Sequence, residues 1–192
     1  VTELNNWGGI MPKPVKIAQV GCGSVAQRGT LAHLALDDVK DKVQLVAVMD
    51  VRKEVVEELA CKFGVKGYFS EEELLKDKEV EAVYIATPAF LHATQSIKAL
   101  QAGKHVLVEK PIALDTEEAE KMIEEAKKRN LKLGVGFMMR FHSHHQKFRE
   151  MVEQGELGTP VMGRAQLSCW YPPIEGAWRQ IPEKGGGGSL ID

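Results

Sequence analysis

The chain has 192 residues, enough for one complete domain and part of another. Its formal net charge of −2 leaves no electrostatic footprint for a nucleic acid, and 44% apolar with 27% charged residues is the composition of an ordinary globular chain. Cys22, Cys61 and Cys169 are odd in number and widely spaced, which excludes a disulfide framework and a zinc pattern and fits a reducing, cytoplasmic setting. Val1 to Ile10 has neither a basic start nor an apolar core, and no run is long enough to span a bilayer, so neither a signal peptide nor a membrane partner is expected. Residues 1–14 read as a loose leader.

The run Val15 to Val20 predicts a short buried strand ending at Gly21. A helix is expected from about Ser24 to Leu36, a strand from Val43 to Asp50, and a helix from Arg52 to Phe63. Ser70 to Glu73 forms a capping box. A strand from Glu81 to Ala86 precedes a helix with Ala93, Ile97 and Leu100 on one face, stopped by Ala102-Gly103. His105 to Val108 is the next strand. Asp115 caps a helix with Glu118 at the capping-box position and Ala119, Met122, Ile123 and Ala126 as its buried stripe. Leu131 to Phe137 closes the series.

Strands that alternate with helices and are almost continuously apolar are covered on both faces, which means a doubly wound parallel sheet of the α/β class. After Phe137 the pattern changes to a polar helix (about Ser143 to Gln154), a Gly155–Gly158 turn and a strand-like run from Val161 to Trp170. This reads as the beginning of a second, α+β domain. About 55 residues are too few for a comfortable independent core, so that domain is expected to be incomplete. The division is a leader (1–14), a dinucleotide-binding domain (15–136) and the first part of a substrate and oligomerisation domain (137–192).

Gly21-x-Gly23-x-x-Ala26 follows a strand and opens a helix. Gly21 permits the turn, Gly23 leaves room for a pyrophosphate, Ala26 lets the helix pack close, and the amides of Ser24 and Val25 face the phosphates. Asp50, at the end of the second strand, suits adenosine ribose hydroxyls and favours NAD; Arg52 can stack on adenine or meet a 2′-phosphate, which keeps NADP open. Thr87-Pro88 can line the cofactor, and His92 is either a helix-start residue or part of the site. Lys110, after Val106-Leu107-Val108 and before Pro111, can hold a substrate hydroxyl and stabilise the alkoxide that forms as hydride leaves. Glu109 can orient Lys110 or contact the nicotinamide ribose. His142, His144 and His145 lack metal spacing and read as surface residues, so no metal site is expected. Trp170 and Tyr171 suit either a sugar face or packing.

Gly21 to Ala26, Asp50, Thr87-Pro88, the stretch Ala102 to Val106, Glu109-Lys110-Pro111, Gly136 to Phe141, Gly155 to Gly158, Trp178-Arg179 and the glycine run into Asp192 together resemble the Gfo/Idh/MocA family of oxidoreductases, over about residues 15–192. The resemblance implies a Rossmann domain followed by an α/β domain with an open antiparallel sheet. It implies NAD or NADP chemistry on sugars, cyclitols and related polyols, and a homo-oligomer in the full-length form. It makes Lys110 the lysine of the family's EKP motif, and brings Arg140 and the Trp178-Arg179 pair back over the cofactor. Asp192 matches the first residue of an Asp-x-x-x-His pair whose histidine is the general acid/base, four positions beyond the last residue given. Ala89 stands where many members carry asparagine. The expected catalytic residues are thus Lys110 and Asp192. The expectation is an NAD(P)-dependent dehydrogenase or reductase, with a non-catalytic, redox-sensing dinucleotide-binding regulator as the alternative.

Overall fold

A computed structural model describes residues 13–34, 36, 39–168 and 170–186. Most of the expected leader, Cys169, and the terminal stretch with Asp192 lie outside the described residues. Six strands form one parallel sheet: β1 (Val15–Val20), β2 (Val43–Met49), β3 (Lys66–Tyr68), β4 (Ala82–Ile85), β5 (His105–Val108) and β6 (Leu133–Val135). Their order is β3-β2-β1-β4-β5-β6. The helices are α1 (Leu31–Leu34), α2 (Lys53–Phe63), α3 (Glu71–Lys76), α4 (Ala89–Gln101), α5 (Thr116–Lys128), α6 (Ser143–Glu153) and α7 (Pro182–Gly185).

The apolar run of the central strand β4 is continuous because both faces of the sheet are covered there. On β4, Val83 and Ile85 face a core shared with Leu100 and Met122, while Ala82 and Tyr84 face the opposite side with Ile17. Leu100 and Met122 are fully buried, and each such side chain contributes about 1.5–3 kcal/mol by leaving water. The caps form as their residue types require. The Ser70 hydroxyl accepts from the Glu73 amide at 3.3 Å and the Asp115 carboxylate from the Glu118 amide at 2.8 Å, worth about 1 kcal/mol each.

The register positions the site. Val20 lies beside Met49 and Ile85, Ile85 beside Val108, and Val108 beside Val135. Five strands therefore end at one level, and Gly21, Asp50, Ala86, Glu109 and Gly136 follow side by side along the carboxyl edge. Backbone bonds extend the alignment one residue further: Gly21 N to Met49 O at 2.9 Å, Ala86 N to Val20 O at 2.8 Å, and Glu109 N to Ile85 O at 2.8 Å. The strand order reverses between β1 and β4, the place where open α/β sheets leave a crevice for ligands.

Four expectations need correction. The helix after the glycine turn is π-helical over Ala26–Thr30 before α1 begins. The edge strand β3 was not expected, since Lys66-Gly67-Tyr68 has no apolar run. It is held by polar contacts instead: the Lys66 ammonium and the Tyr68 hydroxyl each donate to Asp77 Oδ2 at 2.8 Å. The Lys66 ammonium, with the Glu79 amide, holds the Asp77 carboxyl down at about 2. Ile123 is 40% exposed, because the buried face of α5 runs through Met122 and Ala126 and position 123 is turned off it. Finally, Val161 to Trp170 forms no strand among the described residues, and Val161 and Leu167 are 95% and 99% exposed. A strand exists only through pairing, and no described strand pairs with this segment; the expected antiparallel sheet is thus not formed among the described residues.

Candidate active site

A cavity of about 730 Å³ opens on the carboxyl edge, a size typical of small-molecule sites. One wall is the glycine turn, with Gly21, Gly23, Ser24 and Val25. Gly21 has φ +81°, and a Cβ there would stand 2.7 Å from Thr87 Cγ2 and 2.9 Å from the Ala86 carbonyl oxygen. Only glycine serves at this close approach of β1 to β4. Gly23 differs: a Cβ would meet no heavy atom within 4 Å, so the space in front of it is open to a ligand. Ala26 is fully buried, which lets the helix lie close to the sheet.

Asp50, Val51 and Arg52 form the second part of the wall. Asp50 Oδ1 accepts from the Arg52 amide at 3.0 Å and Nε at 2.9 Å; Oδ2 accepts from the Cys22 amide at 2.8 Å and Arg52 Nη2 at 3.0 Å. A carboxylate has about four acceptor positions, and all are taken. Asp50 therefore buckles the glycine turn to the start of α2, and ribose hydroxyls can reach it only if the guanidinium moves. Burial alone would raise the Asp50 carboxyl, but the bonds from Arg52 and Cys22 hold it below its ordinary value. Burial, reinforced by Asp50, pushes the Cys22 thiol up to about 12, so it stays protonated and unreactive.

Across the cavity lie Thr87, Pro88 and His92 at the start of α4, and Glu109 and Lys110 after β5. The Thr87 hydroxyl donates to Gln95 Oε1 at 2.5 Å. His92 is 1% exposed; its Nδ1 lies 2.7 Å from the Pro111 carbonyl oxygen and its Nε2 2.9 Å from that of Thr87. Its polar atoms thus face backbone. Glu109 is held as well: the Tyr84 hydroxyl donates to Oε1 and the Lys110 amide donates to Oε2 at 3.1 Å. Burial, then Glu109, drives the Tyr84 phenol upward, so it remains a donor. The Lys110-Pro111 peptide is cis, and half-buried Lys110 lines the cavity.

Trp178 and Arg179 return to this cavity, with the guanidinium 4.3 Å from the Trp178 ring centroid. Arg140 does not line it. Its 3₁₀ turn, Met138–Phe141, presents Met138 to the cavity and Arg140 to a shallow groove beside α6. Residues two apart on a three-residue turn cannot point the same way. Asp192 lies outside the described residues. Sequence reasoning missed Met49, Val51, Ala86, Leu91, Gln95 and Met138 as cavity residues and Tyr84 as the support of Glu109. Only Leu91 and Gln95 carried a signal, being one helical turn apart beyond Pro88. Among the described residues no three His, Cys, Asp or Glu side chains are grouped to hold a metal, and no helix is long and apolar enough to cross a membrane.

This donor set suits a dinucleotide: an open glycine cradle at a helix start, an acid–arginine pair on the β2 side, and a lysine on the β5 side. Residues 15–137 match the model of an oxidoreductase family with an NAD-binding Rossmann fold, and residues 145–192 match the GFO/IDH/MocA C-terminal domain. The chain is 34% identical over 150 residues to a 1,5-anhydro-D-fructose reductase of Ensifer adhaerens, covering 78% of this chain and 45% of that protein. It is 35% identical over 160 residues to the myo-inositol 2-dehydrogenase of Thermotoga maritima, covering 83% and 47%. It superposes with a TM-score of 0.69 on KijD10, a 3-ketoreductase from Actinomadura kijaniata in complex with TDP-benzene and NADP, at 32% identity over 74% of this chain and 44% of that one. The chain spans just under half the length of these curated relatives. Matched across both of its halves, the chain belongs to the GFO/IDH/MocA oxidoreductase family, and its parallel sheet is that family's NAD-binding Rossmann domain.

Proposed function

We propose that this chain forms the cofactor-binding half and the first part of the substrate half of an NAD(P)-dependent oxidoreductase. It would act between a secondary alcohol and the matching carbonyl of a sugar, cyclitol or related polyol. The observation that carries this reading is that the glycine cradle and Lys110 open into one cavity. The named relatives, a sugar reductase and a cyclitol dehydrogenase, supply the substrate class.

The nicotinamide, when bound, accepts or returns a hydride. The chain's residues do the rest. Gly21, Gly23 and the amides after them hold the pyrophosphate at a helix start. Lys110 donates to the reacting oxygen and stabilises negative charge on it. Glu109, fixed by Tyr84, braces the Lys110 backbone. Trp178 and Arg179 cover the cavity. Asp192 would orient the acid/base imidazole that the family resemblance puts four positions further on. The cysteine usage carries the proposal of a cytoplasmic setting, and the same resemblance carries that of a homo-oligomer.

The test is turnover. A protein of the relatives' length that carries this chain should form NADH or NADPH from at least one compound in a panel of sugars and cyclitols. The 192-residue chain alone should bind cofactor with negligible turnover. Tight NADH binding without turnover by the longer protein across the panel would count against the reading and favour a dinucleotide-sensing regulator.

Cofactor preference is proposed to rest on Asp50. Asp50→Ser removes both the repulsion of a 2′-phosphate and the carboxylate that holds Arg52, so the NADH-to-NADPH affinity ratio should fall. The same change frees the Cys22 amide, so both affinities should drop. Competition titration with the two cofactors checks this; an unchanged ratio would mean that Asp50 does not govern the choice.

A further inference from the structure

We infer that His92 is a positioning residue that sets the place of Lys110 in the cavity by bracing the backbone on its carboxyl side. This rests on the reading of Lys110 as the group that meets the reacting oxygen.

Both ring nitrogens of His92 face carbonyl oxygens, at 2.7 Å on Pro111 and 2.9 Å on Thr87. The two carbonyls lie past the last paired residues of β5 and β4, where the ladder no longer holds the chain. A neutral imidazole carries one N–H; on Nδ1, the nitrogen with the shorter contact, it donates to the Pro111 carbonyl, and a ring that is 1% exposed thus ties the loop after β5 to α4. The Pro111 carbonyl belongs to the residue directly after Lys110. On the other flank, the Lys110 amide donates to Glu109 Oε2, and Tyr84 holds the second oxygen of that carboxylate. The lysine is therefore braced from both sides, by α4 through His92 and by β4 through Tyr84.

The placement matters because alignment at a reacting centre is steep: a displacement of about 1 Å can cost roughly a hundredfold in rate. A phenylalanine at position 92 would fill the volume and donate nothing. A glutamine keeps a donating amide that can still reach the Pro111 carbonyl, on a more flexible side chain. A buried histidine that merely filled space would be replaced by phenylalanine without local consequence at Lys110.

Hydrogen exchange of the 192-residue chain and kinetics of the longer protein test this together on His92→Phe and His92→Gln. In His92→Phe the amides of Lys110, Ile112 and Ala113 should exchange about tenfold faster or more, with β1 and β2 unchanged. In the same variant kcat should fall about a hundredfold while the KM for the cofactor stays within about threefold. His92→Gln should fall between the two, and it carries the test if the phenylalanine variant does not fold. Unchanged exchange at those three amides in both variants would overturn the inference. So would a uniform rise across β1, β2 and the loop, since His92 would then support the fold as a whole. Unchanged turnover in Lys110→Ala would instead remove the proposed role of the lysine and leave the exchange result standing.

Discussion

Replacing Lys110 by alanine in a protein of the relatives' length should lower kcat by about a hundred- to a thousandfold, the usual effect of deleting one donor at a developing oxyanion. The expectation follows from placement. Lys110 comes directly after Glu109, whose amide is the last on β5 to bond β4, and it lines the cavity opposite the open space at Gly23. Its own amide and the carbonyl of Pro111 are both held. The loss should fall on kcat, with the KM for the cofactor within about threefold, because the pyrophosphate cradle is on the other wall. Lys110→Arg keeps the charge but not the reach or shape of an ammonium, and should recover only part of the rate. A Lys110→Ala protein that reduces its cofactor at the normal rate would show that another group meets the reacting oxygen.

The parts of this molecule that were legible in the sequence are those decided locally. Val15–Val20 and His105–Val108 stand where their apolar runs put them, with Ala18, Val20, Val106 and Val108 buried in the core although Val15 and Leu107 remain partly exposed. Ser70 and Asp115 cap because their side chains satisfy amides three residues away. The parts that were not legible depend on distant partners. Strand β3 is tied through the side chains of Lys66 and Tyr68 to Asp77, about ten residues further along the chain, a partner that no apolar run announces. Val161 to Trp170 has the composition of a strand, and composition cannot supply the neighbour that a strand needs.

The candidate site divides in the same way. Gly21, Gly23 and Lys110 announce themselves through strand-end spacing. The saturation of Asp50 by Cys22 and Arg52, and the tie made by His92, appear only when turns far apart in sequence meet along the carboxyl edge. Arg140, which the family resemblance brings over the cofactor, lines the groove beside α6, and the tight turn presents Met138 to the cavity.

The glycine turn offers the sharpest separation of folding from binding. Gly23→Val should lower NADH affinity by at least about a hundredfold, or about 2.7 kcal/mol, because a branched side chain would occupy the space left for the pyrophosphate. It should do so without harm to the fold. A Cβ at Gly23 meets nothing within 4 Å, and Gly23 is not among the glycines with positive φ. The midpoint of thermal unfolding should therefore stay within about 2 °C of the parent chain. Gly21→Val is the contrasting control: with φ +81° and a Cβ 2.7 Å from Thr87, it must push β1 away from β4 and unfold at lower temperature. Calorimetric titration with NADH and a thermal scan on both variants of the 192-residue chain give the four numbers needed. A Gly23→Val chain that binds NADH as the parent does would place the pyrophosphate elsewhere, and with it the rest of the cofactor. Loss of both binding and stability at Gly23 would instead mean that the open space is filled by the protein's own atoms in solution.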